Sequence, residues 1–146
     1  MQIIPVDHIF EHYPQCIVHP VSCAGLNHDI LSKQLKKSYP DYFRDYTRLC
    51  LRKKLDPEEA YAYSLNALFG TQFITTLTIK NNWQEKIQPK IIHGALDKLF
   101  QLIEKLQIKD VAIPKINEIP YSWLQEQILK RCDKEECSLE KIYIFG

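Results

Sequence analysis

Residues 16–23 read CIVHPVSC, an almost unbroken apolar run, and after one glycine at Gly25 the chain passes into a lysine-rich stretch that stops at Pro40. A run of that length and composition suits a strand covered on both faces, and no helix is needed to explain it. Behind it, Ile30, Leu31 and Leu35 make an apolar stripe at helical spacing, with Lys33, Lys36 and Lys37 turned to water and Asn27 or Asp29 available as the N-cap. A strand that feeds a helix through a short polar loop leaves unpaired N–H groups at the helix start, and those groups with the helix dipole favour an anion. The first expectation is therefore a parallel α/β arrangement with an anion site after its first long strand.

The rest of the chain repeats the alternation. Residues 2–4 form a short apolar run that Pro5 assigns to a sheet edge or an ending. Pro40 restarts the chain as a second helix, with Tyr42, Phe43, Tyr46, Leu49 and Cys50 on one side. Residues 59–65 alternate and residues 71–79 are rich in β-branched side chains, which predicts a hairpin about the turn at 66–70. Residues 89–106 carry Ile92, Leu96, Leu99, Phe100, Ile103 and Leu106 at three- and four-residue steps behind Pro89, the clearest helix of the chain. A buried strand at 110–113, a helix at 123–132 with Trp123, Leu124, Ile128 and Leu129 inward, and a terminal strand at 141–145 complete the set. Fully apolar strands alternating with helices predict a three-layer α/β/α domain on a mixed, mostly parallel sheet, one domain over residues 1–146. Ligands of such sheets lie at the carboxyl ends of the strands.

Composition narrows the function. Nineteen Lys and Arg against 18 Asp and Glu leave a formal charge of +1, so no global field draws nucleic acid or a membrane, and any nucleic-acid contact is local. The five cysteines, Cys16, Cys23, Cys50, Cys132 and Cys137, include no CxxC pair and no zinc-spaced histidine, as expected of reduced, mostly buried thiols. Met1 opens a run without the basic start or long apolar core of a signal peptide, and nothing approaches a membrane span. A soluble cytoplasmic protein, monomeric and without cofactor or metal, is expected. GxGxxG, GxxxxGK and a nucleophile-elbow serine are all missing, which removes dinucleotide oxidoreductases, nucleotide triphosphatases and serine hydrolases.

The order Val18, His19, Val21, Cys23, Gly25, then Gln34, Lys36, Lys37, Tyr39, Pro40 resembles the first ligand loop of macrodomains, the ADP-ribose-binding modules. The nearest branch holds the terminal ADP-ribose protein glycohydrolase and the antitoxin that reverses DNA ADP-ribosylation. The resemblance extends weakly over nearly the whole chain, and it implies a role for each position it covers. Lys80, three residues before Trp83, falls on the nucleophile of the glycohydrolase branch, and Glu118 is the only acid in the second loop to assist it. Ser22 stands where the family has Asn or Ser against the distal ribose. Asp7 or His8 meets the adenine amino group, Asp7 being alternatively a helix N-cap. The first loop, with Gly25, Asn27, His28, Asp29 and Ile30, and the second, with Ile116, Asn117 and Ile119, would embrace the diphosphate. Phe145 stacks on the adenosine or fills the core.

Two family glycines fall on His28 and Ile30, and the second loop has no glycine, so ordinary cradling of a diphosphate by backbone N–H groups is altered. Pro120 removes one more donor there. His19, inside the first long strand, reads as a satisfied core histidine. Three functions follow from the resemblance: an ADP-ribosyl hydrolase acting on modified protein or nucleic acid, a reader of ADP-ribose without turnover, or an interaction module that has lost the ligand.

Overall fold

A computed structural model describes residues 2–8, 12–23, 29–82, 84–133 and 137–146. Six strands, β1 (Gln2–Val6), β2 (Cys16–Ser22), β3 (Glu59–Ser64), β4 (Phe73–Lys80), β5 (Asp110–Pro114) and β6 (Lys141–Phe145), form one sheet in the order β1-β6-β5-β2-β4-β3. Every neighbouring pair is parallel except β3 with β4, the expected hairpin. The edge role inferred from Pro5 holds: β1 is an outer strand and runs through the proline to Val6.

Four helices, α1 (Ile30–Ser38), α2 (Pro40–Leu51), α3 (Pro89–Leu106) and α4 (Tyr121–Cys132), cover the two faces. Alternate side chains of β2 enter opposite cores. Cys16 and Val18 pack with Leu96, Leu99 and Ile103 of α3 and Leu124 and Ile128 of α4. Ile17 and Val21 pack with Leu35 of α1 and Tyr42 and Tyr46 of α2. Burial on both sides explains why β2 shows no polar alternation. The α3 helix starts at Pro89, as its spacing predicts. It ends at Gln107, whose left-handed backbone (φ 54) lets Ile108 N–H reach the Ile103 carbonyl at 3.0 Å.

Two helix faces depart from the apolar spacing. Ile30 is 75% exposed, and Ser32 takes the inward place because a polar partner, His19, waits beneath it. On α4, Leu129 is exposed and Gln127 buried, its side chain and carbonyl accepting from the Arg131 guanidinium at 3.2 and 3.1 Å. In both cases a hydrogen bond to a buried polar group outweighs the transfer of one aliphatic side chain.

The carboxyl ends of all five parallel strands, at Val6, Phe145, Pro114, Ser22 and Lys80, fall on one edge of the sheet. The ladder between β2 and β5 spans only Cys16–Ile17 against Val111–Ala112, and β2 bulges between Val21 and Ser22. The loops that follow β2 and β5 therefore leave the sheet at its least tightly paired seam, the usual place for a ligand crevice in such a fold.

Candidate functional site

A lysine, Lys80, closes β4 at this edge. The Lys80 side chain is only 15% exposed, and its ammonium lies 2.5 Å from Glu118 Oε1 and 3.2 Å from the Glu85 carbonyl oxygen. Glu118 Oε2 accepts the Ile87 N–H at 2.9 Å. The hydrogen bond from Lys80, and after it the one from Ile87, holds the Glu118 carboxyl below the usual carboxylate range.

Glu118 reaches Lys80 because of how the second loop folds. Ile119 N–H bonds the Ile116 carbonyl at 2.9 Å, closing a turn with Asn117 and Glu118 at its corners, while Ile116 and Ile119 pack into the core beneath α3 and α4. Two isoleucines anchor the turn, so it needs no glycine to keep its shape. Asn117 and Glu118 are left facing outward from the strand ends.

Ser22 sits beside Lys80 in register, and Cys23 N–H donates to the Lys80 carbonyl at 2.9 Å. Tyr46 Oη donates to the Ser22 carbonyl at 3.1 Å, which ties α2 to this strand end. The neighbouring Cys23 thiol is pushed up to about 11, chiefly by burial, so it stays a protonated thiol at neutral pH.

Asp29 caps α1: its Oδ1 accepts the Ser32 N–H at 2.7 Å and its Oδ2 the Ser32 hydroxyl at 2.9 Å. The helix start expected to attract an anion thus carries the chain's own carboxylate. Behind Ser32 runs a buried relay. Ser32 Oγ, its proton committed to Asp29, accepts from His19 Nε2 at 2.8 Å; Tyr42 Oη donates to His19 Nδ1 at 2.8 Å and accepts from Thr76 Oγ1 at 2.7 Å. Burial depresses His19 to about 4, so the ring is neutral and satisfied, as its place in β2 suggests.

Asp7 and His8 are exposed just past Val6, which pairs with Phe145, so the adenine-end candidates share one corner. Phe145 is 6% exposed, packed with Val21 and Tyr46, and its carbonyl accepts Lys115 N–H at 2.7 Å. Ile30 lies exposed beside Asp29. Gly25, Asn27, His28 and Trp83 lie outside the described residues. Among the described residues no group of three or more His, Cys, Asp or Glu could hold a metal.

Glu85, Ile87, Tyr46 and the Ser32–His19–Tyr42 relay were not found from the sequence as parts of the site. The one local signal was an Asp followed three residues later by Ser at a helix start. A separate surface hollow lies elsewhere, along α3 at Phe100, Gln101, Arg131 and Cys137. Its one cation, Arg131, is already bonded to Asp97, Gln127 and His93, which leaves little there to bind a ligand.

The fold is shared with known proteins. The chain resembles, over 102 residues at 21% identity, the DNA ADP-ribosyl glycohydrolase of Thermus aquaticus; the match covers 70% of this chain and 28% of that protein, so the chain spans less than a third of its relative. Its structure is similar to the macrodomain of Mycobacterium tuberculosis DarG, with a TM-score of 0.88 at 18% identity over 99% of this chain and 97% of that one. It is also similar to Thermosipho africanus DarTG in complex with ADP-ribose, with a TM-score of 0.78 at 19% identity over 94% of this chain and 39% of that one. No helix among the described residues is long and apolar enough to cross a membrane. The Macro domain family model matches residues 18–132, most of the chain, and the protein belongs to the macrodomain family.

Proposed function

We propose that this macrodomain binds ADP-ribose across the strand ends and releases it from a modified macromolecule, with Lys80 as nucleophile and Glu118 as its acid and base. The observation that carries the reading is the 2.5 Å contact between Lys80 Nζ and Glu118 Oε1 at the end of β4. A lysine attacks only as the free amine. The short contact offers a path for the ammonium proton to Glu118. The amine then forms a bond to the anomeric carbon of the distal ribose, the bond from that carbon to the macromolecule breaks, and the leaving group takes the proton from Glu118. Water next adds to the same carbon, the Lys80–carbon bond breaks, and free ADP-ribose and the amine are restored.

In this reading Ser22, paired in register with Lys80, meets the distal ribose, while Asp7, His8 and Phe145, gathered by the pairing of Val6 with Phe145, meet the adenosine. Asn117 and Ile119 line the second loop, and Asp29 and Ile30 the exit of the first. A second reading, recognition without turnover, is favoured by one observation: both positive foci of the edge, the start of α1 and Lys80, are matched by internal carboxylates, Asp29 and Glu118. Release of ADP-ribose from ADP-ribosylated DNA and protein, with wild type and Lys80→Ala side by side, separates the two. Turnover lost with binding kept supports the hydrolase; binding without turnover in wild type supports the reader.

A further inference from the structure

The near-neutral chain hides a strong segregation of charge. Between Ile30 and Lys54 stand eight of the 19 cations, Lys33, Lys36, Lys37, Arg44, Arg48, Arg52, Lys53 and Lys54, but only two of the 18 acids, Asp41 and Asp45. That is six positive charges in excess, which leaves eleven cations against sixteen acids, five negative, for everything else. All eight cations are exposed. Among the described residues, Arg44 alone of them forms an ion pair, with Asp41 at 3.2 Å.

The fold gathers these charges in one layer. The α1 and α2 helices cover the same face of the sheet, and Lys36 Nζ lies 5.9 Å over the Phe43 ring, joining the lysines of α1 to the surface of α2. Arg44, Arg48 and Arg52 follow at four-residue intervals, so three guanidiniums stand on one side about 6 Å apart in rise. This ridge leads to the candidate site: Tyr46 is bonded to the Ser22 carbonyl, and β3, which follows the basic turn, begins opposite Thr78, two residues from Lys80. A row of guanidiniums suits a chain of phosphates better than scattered carboxylates, because a phosphodiester backbone presents one negative charge at every repeat. The apolar side of α2, Tyr42 and Tyr46, is spent on the core, and the layer's exposed aliphatic side chains, Ile30 at the first residue of α1 and Leu51 at the last of α2, are single residues rather than an apolar face to insert into a lipid surface.

We infer that the α1–α2 layer is a nucleic-acid backbone surface that brings a phosphodiester chain to the strand-end site. That the site acts on the chain it receives rests on the proposed activity; the surface itself does not. Its test uses an unmodified, fluorescein-labelled 20-nucleotide single-stranded DNA and anisotropy over a salt series. Wild type should bind, with an affinity that falls steeply as salt rises. The variant Arg44→Gln/Arg48→Gln/Arg52→Gln should bind about tenfold or more weakly at low salt, with a salt slope shallower by about 2, three phosphate contacts at about 0.7 each. The matched variant Lys90→Gln/Lys98→Gln/Lys105→Gln on exposed positions of α3 should bind as wild type does. Equal loss in both variants, no loss in the arginine variant, or tighter binding to phosphatidylserine vesicles or a poly-glutamate peptide than to DNA overturns the inference. Calorimetry of the arginine variant with free ADP-ribose keeps the two claims apart. DNA binding without ADP-ribose binding in wild type retires the proposed activity alone. Binding of ADP-ribose with unchanged DNA affinity in the arginine variant retires the surface alone.

Discussion

Lys80 and Glu118 meet at 2.5 Å across 38 positions of sequence, one closing a central strand and the other at the corner of a turn held by two isoleucines, buried Ile116 and half-buried Ile119. Each is an ordinary charged residue by itself. Together they form a half-buried ion pair at the edge where five strand ends converge.

If that pair does the chemistry, its two members fail differently. Lys80→Ala removes the nucleophile and should abolish release of ADP-ribose, with affinity for free ADP-ribose within a few-fold of wild type. Glu118→Gln keeps the shape and the Ile87 hydrogen bond but cannot hold or return a proton, so release should slow by about 10² or more. Single-turnover release on ADP-ribosylated DNA reads both, and a Glu118→Gln variant with undiminished rate would take the carboxylate out of the mechanism.

Phe145 can be probed without emptying the core. Phe145→Leu retains most of the apolar volume and should cost under about 1.5 kcal/mol in urea unfolding. It should still weaken ADP-ribose by about tenfold in calorimetry if the ring meets the adenosine. Unchanged affinity would leave Phe145 as core alone.

The buried His19 gives the protein an acid limit that the pairing of Glu118 reinforces. His19 is depressed to about 4, so between the unfolded value of 6.5 and about 4 the unfolded chain binds a proton that the folded chain does not. Stability therefore falls as pH drops through that window, by about 3 kcal/mol at its lower end at 1.36 kcal/mol per pH unit. The Glu118 carboxyl, depressed by Lys80, contributes stability above its unfolded value of 4.5 that is lost as pH falls through its folded value. Urea midpoints at pH 7, 5.5 and 4.5 check the first effect, and a flat profile from 6.5 to 4.5 would contradict it.

Tyr42→Phe breaks the relay at its centre. It removes the donor to His19 Nδ1 and the acceptor of the Thr76 hydroxyl, both buried, and should destabilise the fold by about 1–3 kcal/mol. A change below about 0.5 kcal/mol in urea unfolding would mean the relay contributes nothing net.

The frame was legible because its signals are local. The apolar run of β2, the Pro-led α3 with its three- and four-residue steps, and the β3–β4 hairpin each follow from a short stretch of residues. The place of the candidate site follows from topology, and Lys80 as its proposed nucleophile from the family register. What stayed hidden depends on residues meeting across the fold. Ser32 displaced Ile30 from the buried side of α1 because His19, on another element, offers a hydrogen bond. Gln127 displaced Leu129 on α4 because Arg131 needs its oxygens. Glu118 could not be assigned by spacing, since a glycine-free loop gives no register; only the turn closed between Ile116 and Ile119 sets where its carboxylate points.

The most direct measurement of the central claim is reductive trapping. The protein is incubated with ADP-ribosylated DNA in the presence of sodium cyanoborohydride, digested, and the modified peptide mapped by mass spectrometry. Attack by the amine opens the ribose into an imine that the hydride fixes, so one ADP-ribosyl group should be found on Lys80, absent from Lys80→Ala and reduced in Glu118→Gln. Steady release of ADP-ribose with no label on Lys80, or equal labelling of surface lysines such as Lys36 and Lys53, would contradict it.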